Sequence, residues 1–183
     1  MSNTGAARER DLNRLLSPQS VAIVGASDKP GALGASVLGN LTRMGFDGDI
    51  HLINPKRDTI AGRPCLPSIS ALPEGVDVAI LAIPRAGVLA SVKELAERRV
   101  GAAIIFSAGF AEGGEEGLAE QREIARIARA AGMVIEGPNC LGTVNMKRGL
   151  PLTFVEIPGK LLGDRKGIGI VSQSGAMGAV LAV

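Results

Sequence analysis

The sequence predicts an α/β fold, a doubly wound parallel sheet with helices on both faces, and three observations carry that prediction. Short apolar runs of Val, Ile, Ala and Leu recur along the chain, several of them ending near a glycine. Segments with apolar residues at helical spacing lie between them. The composition agrees: of 183 residues 46% are apolar and 25 are glycine, Trp and Tyr are absent, and Phe occurs four times. Strands buried on both faces read as continuous small-aliphatic runs, and the turns that follow them favour glycine.

The elements follow in order. Residues 1–6 read as a disordered tail. Residues 7–16 read as a short helix with Leu12, Leu15 and Leu16 on one side, stopped by Ser17-Pro18. Residues 20–25 form an apolar run closed by Gly25, the pattern of a central parallel strand. A helix over 34–45 places Val37, Leu38, Leu41 and Met44 on one face. Residues 49–54 form a second strand, and 77–83 a third that Pro84 breaks. A helix over 86–98 carries Val88, Leu89, Val92 and Leu95. Residues 101–106 form a fourth strand. A charged amphipathic helix over 115–131 is closed by Gly132, and 133–136 form a fifth strand. The repeated β-α-β order, with crossovers long enough for helices, argues for the doubly wound sheet. We therefore divide the chain into a tail and short helix (1–17), a Rossmann-like domain (18–146), a linker rich in Pro and Gly (147–166), and the incomplete start of a second unit (167–183). In that last unit 167–171 is expected to be a strand and 175–183 a helix. A lone β-α pair cannot bury itself, so the rest is expected from a longer polypeptide or a partner.

Composition also excludes. A net charge of +2 gives no basic field for nucleic acid, and the missing aromatics remove a base-stacking platform. Cys65, Cys140 and the single His51 stand in no metal-ligand spacing, so no metal site is expected. The start is polar, without a signal-peptide pattern, and no apolar stretch approaches about 18 residues, so no membrane span is expected. A reducing cytoplasm is the expected location.

The candidate site begins where the first strand ends. Gly25, Ala26, Ser27, Lys29, Pro30 and Gly31 lie between that strand and a helix. Free backbone N–H groups and the positive end of the helix dipole suit a diphosphate there. The spacing is longer than G-x-G-x-x-G, and a glycine-rich turn without ligand is the competing reading. An NAD site places Asp or Glu roughly 20 residues on, at the end of the second strand. That position here holds Asn54, Pro55, Lys56 and Arg57, with no carboxylate. The basic pair suits a ribose phosphate, as in coenzyme A (CoA) or NADP, or else is a solvated turn. Ile83 and Pro84, Ser107, Ala108 and Gly109, and residues 137–142 close later strands, where ligands bind in such sheets. His51, within a strand, reads as structural. Cys140 has no histidine to activate it and reads as structural too. Around Ser172-Gln-Ser-Gly-Ala176 the G-x-S-x-G pattern is only faint, and too few residues follow for a triad. A second anion cradle on Ser174 and Gly175 is preferred.

Five motifs in order carry a family resemblance: Val-Ala-Ile-Val-Gly-Ala-Ser at 21–27, Ile-Asn-Pro-Lys at 53–56, Ser-Ala-Gly-Phe at 107–110, Gly-Pro-Asn-Cys-Leu-Gly at 137–142 and Gly-Ile-Gly-Ile-Val-Ser-Gln-Ser-Gly at 167–175. Together they resemble the NDP-forming (ADP-forming) acyl-CoA synthetases, relatives of the succinyl-CoA synthetase α subunit. The resemblance implies a CoA-binding domain followed by a flavodoxin-like one. It implies that the 25–31 loop takes the CoA diphosphate and Lys56 the ribose phosphate or adenosine end. Ile83, Pro84 and residues 107–109 would then line the pantetheine, with Asn139 near the thiol. It implies a phosphohistidine outside this chain, stabilised by the loop of Ser174 and Gly175. ATP or ADP and Mg would act only through absent domains, with a carboxylic acid as co-substrate and a homo-oligomeric assembly with the remaining domains or a β-type subunit. His51 does not match the catalytic position, so this chain alone is expected to bind CoA and turn nothing over. Two alternatives stay open: a CoA-binding regulatory domain fused to a protein lysine acetyltransferase, and an NADP-dependent oxidoreductase. The missing Tyr and acidic ribose residue count against the second.

Overall fold

The computed structural model describes residues 11–157, 162–163 and 165–181. Its main sheet contains β1 (Ser20–Val24), β2 (Asp49–Ile53), β3 (Thr59–Ile60), β4 (Arg63–Leu66), β5 (Val78–Leu81), β6 (Ala102–Ile105) and β7 (Val134–Glu136). The order is β3-β4-β2-β1-β5-β6-β7, and every pairing is parallel except β3 with β4. β1 lies between β2 and β5, so the strand order reverses at its carboxyl end, the place where ligands bind in open parallel sheets.

The central strands are apolar throughout because both faces are covered. Val21, Ile23, Val78 and Ile80 pack with Val37, Leu38 and Leu41 of α2 (Leu33–Arg43). Ala22, Val24, Ala79 and Leu81 pack on the other face with α3 (Val88–Glu97) and α4 (Glu115–Ala131). The Rossmann-like doubly wound sheet is therefore present. α4 has the expected bounds, and Gly132 ends it at φ 71°. The Met133 N–H donates to the Ala128 carbonyl at 2.9 Å, closing the terminus as glycine caps do.

Four expectations are corrected. The first helix, α1 (Asn13–Leu16), has only four residues, and positions 7–10 lie outside the described residues. It is pinned from the start of the sheet, where the Arg14 guanidinium donates to Asp77 Oδ1 at 3.0 Å and to the carbonyls of Gly75 and Val76 at 2.7 and 2.9 Å. Between β2 and β5 there is no crossover α-helix. The hairpin of β3 and β4 fills that stretch, followed by a single 3₁₀ turn at Ile69–Ala71. Ala61 and Gly62 both take positive φ, 49° and 73°, which a two-residue hairpin turn requires. The expected linker over 147–166 contains a strand. β8 (Gly142–Asn145) pairs antiparallel with β9 (Leu150–Thr153), and Leu150, Leu152 and Thr153 are buried against the domain. Pro151 argued against a strand, but a two-stranded ribbon has two edges and tolerates a missing N–H. Finally, residues 167–171 form no strand and are exposed, because no strand lies beside them among the described residues. The helix after them is α5 (Gly175–Leu181); positions 182–183 lie outside the described residues. No helix among the described residues is long and apolar enough to cross a membrane.

Candidate functional site

The loop after β1 is built by close approach. A Cβ on Gly25 would lie 2.4 Å from the Ala82 carbonyl oxygen and 2.9 Å from Ile83 Cγ2. A Cβ on Gly34 would lie 2.3 Å from the Gly25 carbonyl oxygen. Gly25 lets the loop turn against the end of β5, at φ 85°, and Gly34 lets α2 start directly beneath it. No side chain caps the N-terminus of α2. Its first turn therefore presents unsatisfied N–H groups and a positive dipole end beneath the loop. The N–H groups of Gly25 and Ala26 are not free, as the sequence had suggested. Both donate to the Ile53 carbonyl, at 3.1 and 3.2 Å. The donors available to an anion lie further along, toward the start of α2. Ser27 is half-buried, and its Oγ accepts the Lys29 N–H at 3.0 Å. Lys29, Pro30 and Gly31 are exposed.

Asn54 has both polar arms occupied. Its Nδ2 donates to the Ala26 carbonyl at 2.8 Å, and its Oδ1 accepts the Lys56 N–H at 2.9 Å. It ties the β2 turn to the loop after β1 and leaves Pro55, Lys56 and Arg57 exposed beside that loop. Arg57 reaches Asp28 Oδ1 at 3.7 Å.

Ile83 and exposed Pro84 follow β5 and border the glycine loop. Ser107, Ala108 and Gly109 follow β6. The Ser107 Oγ is buried without a hydrogen-bond partner among the described residues, which makes it an orphan donor at a strand end where ligands bind. Asn139, at φ 56°, donates its N–H to the Ser107 carbonyl at 3.0 Å and so joins the loops after β6 and β7. The sheet thus brings 25–31, 54–56, 83–84, 107–109 and Asn139 to one rim. Ser174 and Gly175 stand differently. The Ser174 hydroxyl accepts the Met177 N–H at 3.4 Å as a cap of seven-residue α5, and a Cβ on Gly175 would meet Leu141 at 3.1 Å.

Sequence reasoning missed two bracing groups. The Gly109 N–H donates to Glu112 Oε1 at 2.8 Å, and this contact holds the Glu112 carboxyl below the usual range. An acid three residues beyond a glycine turn was the available signal. Arg85 pairs with Glu120 at 2.9 Å and lies over the Phe110 ring, 5.6 Å from its centroid, which fixes the loop's outer wall. No sequence signal linked Arg85 to a residue 35 positions away. Burial, then the nearby Glu136, push the Cys140 thiol up to about 11, and Sγ lies 3.4 Å from the Ile105 carbonyl. His51 lies within β2, partly buried. No cluster of three or more metal-ligating side chains occurs among the described residues.

The chain resembles proteins of known name along most of its length. It is 52% identical over 177 residues to a trans-feruloyl-CoA synthase from an unknown prokaryotic organism, covering 94% of this chain and 25% of that protein. It is 38% identical over 172 residues to acetate–CoA ligase [ADP-forming] I of Archaeoglobus fulgidus, covering 94% of this chain and 24% of that one. Among solved structures, the dinucleotide-forming acetyl-coenzyme A synthetase 1 of Ca. Korarchaeum cryptofilum, in complex with phosphate and ADP, superposes at TM-score 0.79. It shares 34% identity and matches over 94% of this chain and 36% of that one. The chain therefore spans about a quarter of the length of these curated relatives. Residues 19–146 match the family model described as CoA binding domain, and on that match the chain belongs to the CoA-binding domain family.

Proposed function

We propose that this chain is the CoA-binding portion of an NDP-forming acyl-CoA synthetase. The observation that carries the reading is the paired geometry at the ends of β1 and β2. An uncapped helix start lies under a glycine loop, and beside it stands a basic turn where an NAD site would carry an acid. In this reading the loop of residues 25–31 and the start of α2 hold the diphosphate, with Ser27 and Lys29 at its edge. Asn54 and Pro55 shape the turn that offers Lys56 to the ribose phosphate. Ile83, Pro84 and residues 107–109 line the pantetheine, the orphan Ser107 hydroxyl supplies it a polar contact, and Asn139 stands at the thiol end.

The whole protein would convert acid, CoA and NTP to acyl-CoA, NDP and phosphate, through a histidine outside this chain. ATP or ADP and Mg would bind its other domains or a β-type subunit. Ser174 and Gly175 would face the phosphorylated histidine once residues 167–183 are completed by the rest of a flavodoxin-like domain. This chain's own residues bind and orient CoA and carry no proton or group-transfer step. Relatives named as ADP-forming CoA ligases, some as α subunits, support this reading over an acetyltransferase fusion or an oxidoreductase. We also place the protein in the cytoplasm, consistent with two free cysteines, and read it as homo-oligomeric.

The test is Lys56→Ala with CoA and 3′-dephospho-CoA compared by calorimetry. Loss of a charge-assisted phosphate contact weakens CoA about tenfold and leaves dephospho-CoA within about twofold. Equal weakening of both ligands contradicts the role given to Lys56.

A further inference from the structure

Two loops leave the carboxyl ends of the neighbouring strands β1 and β2, and they are joined twice. At the base, Asn54 Nδ2 donates to the Ala26 carbonyl at 2.8 Å. At the rim, an Arg57 Nη lies 3.7 Å from Asp28 Oδ1, with both side chains about half exposed, at 47% and 45%. The turn that presents Arg57 is itself fixed, since the Lys56 and Arg57 N–H groups donate to the Asn54 side chain and carbonyl, at 2.9 and 3.4 Å.

Asp28 is the one acid in the stretch from Gly25 to Gly34. A carboxylate on a loop that receives an anion opposes binding by Coulomb repulsion unless a cation neutralises it. Arg57 is that cation, and it reaches Asp28 from the turn after β2. An exposed ion pair of this length is weak and screened. A phosphate dianion offers a guanidinium a better, bidentate partner.

We propose that the Asp28–Arg57 pair is a latch across the mouth of the nucleotide cleft, opened by ligands that present a ribose phosphate to Arg57. The inference rests on the CoA reading above. Asp28 competes with the ribose phosphate for Arg57. A ligand with only the bridging diphosphate has nothing to offer Arg57 and leaves the latch closed. Arg57 thus adds to the preference for CoA over its dephosphorylated form, beyond the contribution of Lys56, and Asp28, by competing for Arg57, takes part of that preference back.

Calorimetric titration of this chain with CoA and 3′-dephospho-CoA tests the latch. It compares the wild type, Asp28→Asn, Arg57→Gln and the double variant. Asp28→Asn raises the CoA-to-dephospho-CoA affinity ratio by about two- to fivefold, the range expected when a weak exposed pair no longer competes. Arg57→Gln lowers that ratio by about fivefold or more. In the Arg57→Gln background, Asp28→Asn leaves the ratio unchanged. The latch is overturned if Asp28→Asn tightens both ligands equally, since that is a general charge effect. It is also overturned if the Asp28 effect survives the loss of Arg57. A wild-type chain that binds CoA while neither variant moves the ratio removes the latch alone. A wild-type chain that binds no CoA removes the latch and the CoA reading together.

Discussion

The Glu136 carboxyl ends β7 with Oε2 buried and without a hydrogen-bond partner among the described residues. Burial alone pushes it up from an ordinary 4.5 to about 7. The folded chain therefore holds this proton at pH values where the unfolded chain has released it. Stability then falls as pH rises from about 4.5 to about 7 and levels off above, by about 3 kcal/mol from this group. Chemical denaturation at pH 5 and pH 8 measures the difference, and Glu136→Gln removes most of it. A Glu136→Gln chain with an unchanged pH slope contradicts the assignment. Single residues were the least legible part of the sequence. Gly25 and Gly34 were readable, because a strand, a loop and a helix in that order require close approach. The place of Asn54 at the end of the second strand was readable, but not that its side chain is occupied by Ala26 and Lys56. Glu112, Arg85 and the reach of Arg57 to Asp28 depend on tertiary neighbours that no local pattern encodes.

At the scale of elements, the apolar runs of β1, β2, β5, β6 and β7 and the amphipathic face of α4 were legible, since burial on both faces writes itself into composition. The two hairpins were not. β3 and β4 have only two and four residues, and Pro151 masks β9. What places the second hairpin is a tertiary bond from α2. Asn40 is buried, and its Nδ2 donates to the carbonyls of Thr153 and Val155, both at 2.8 Å. The Phe106 and Phe154 rings meet edge to face, with centroids 4.9 Å apart, on the same side. Asn40→Leu strands two carbonyls near the core and costs about 2–3 kcal/mol. A shift in the urea midpoint measures it, together with faster proteolysis between residues 142 and 157. A loss below about 0.5 kcal/mol would mean that the hairpin is held by its apolar contacts instead.

At the scale of the whole molecule, the chain is a ligand-binding sheet matched to about a quarter of its curated relatives. The rim at the carboxyl ends of β1, β2, β5, β6 and β7 gathers glycines, hydroxyls, amides and three cations, Lys29, Lys56 and Arg57. That balance was legible before the structure, from the order of five motifs and from the missing acid after the second strand. We read this chain as the CoA-binding portion of a larger enzyme. Titration of the wild-type chain with CoA and with NADPH, in the same buffer, tests that reading most directly. The account predicts saturable heat with CoA and none with NADPH; tight NADPH binding without any CoA binding would contradict it.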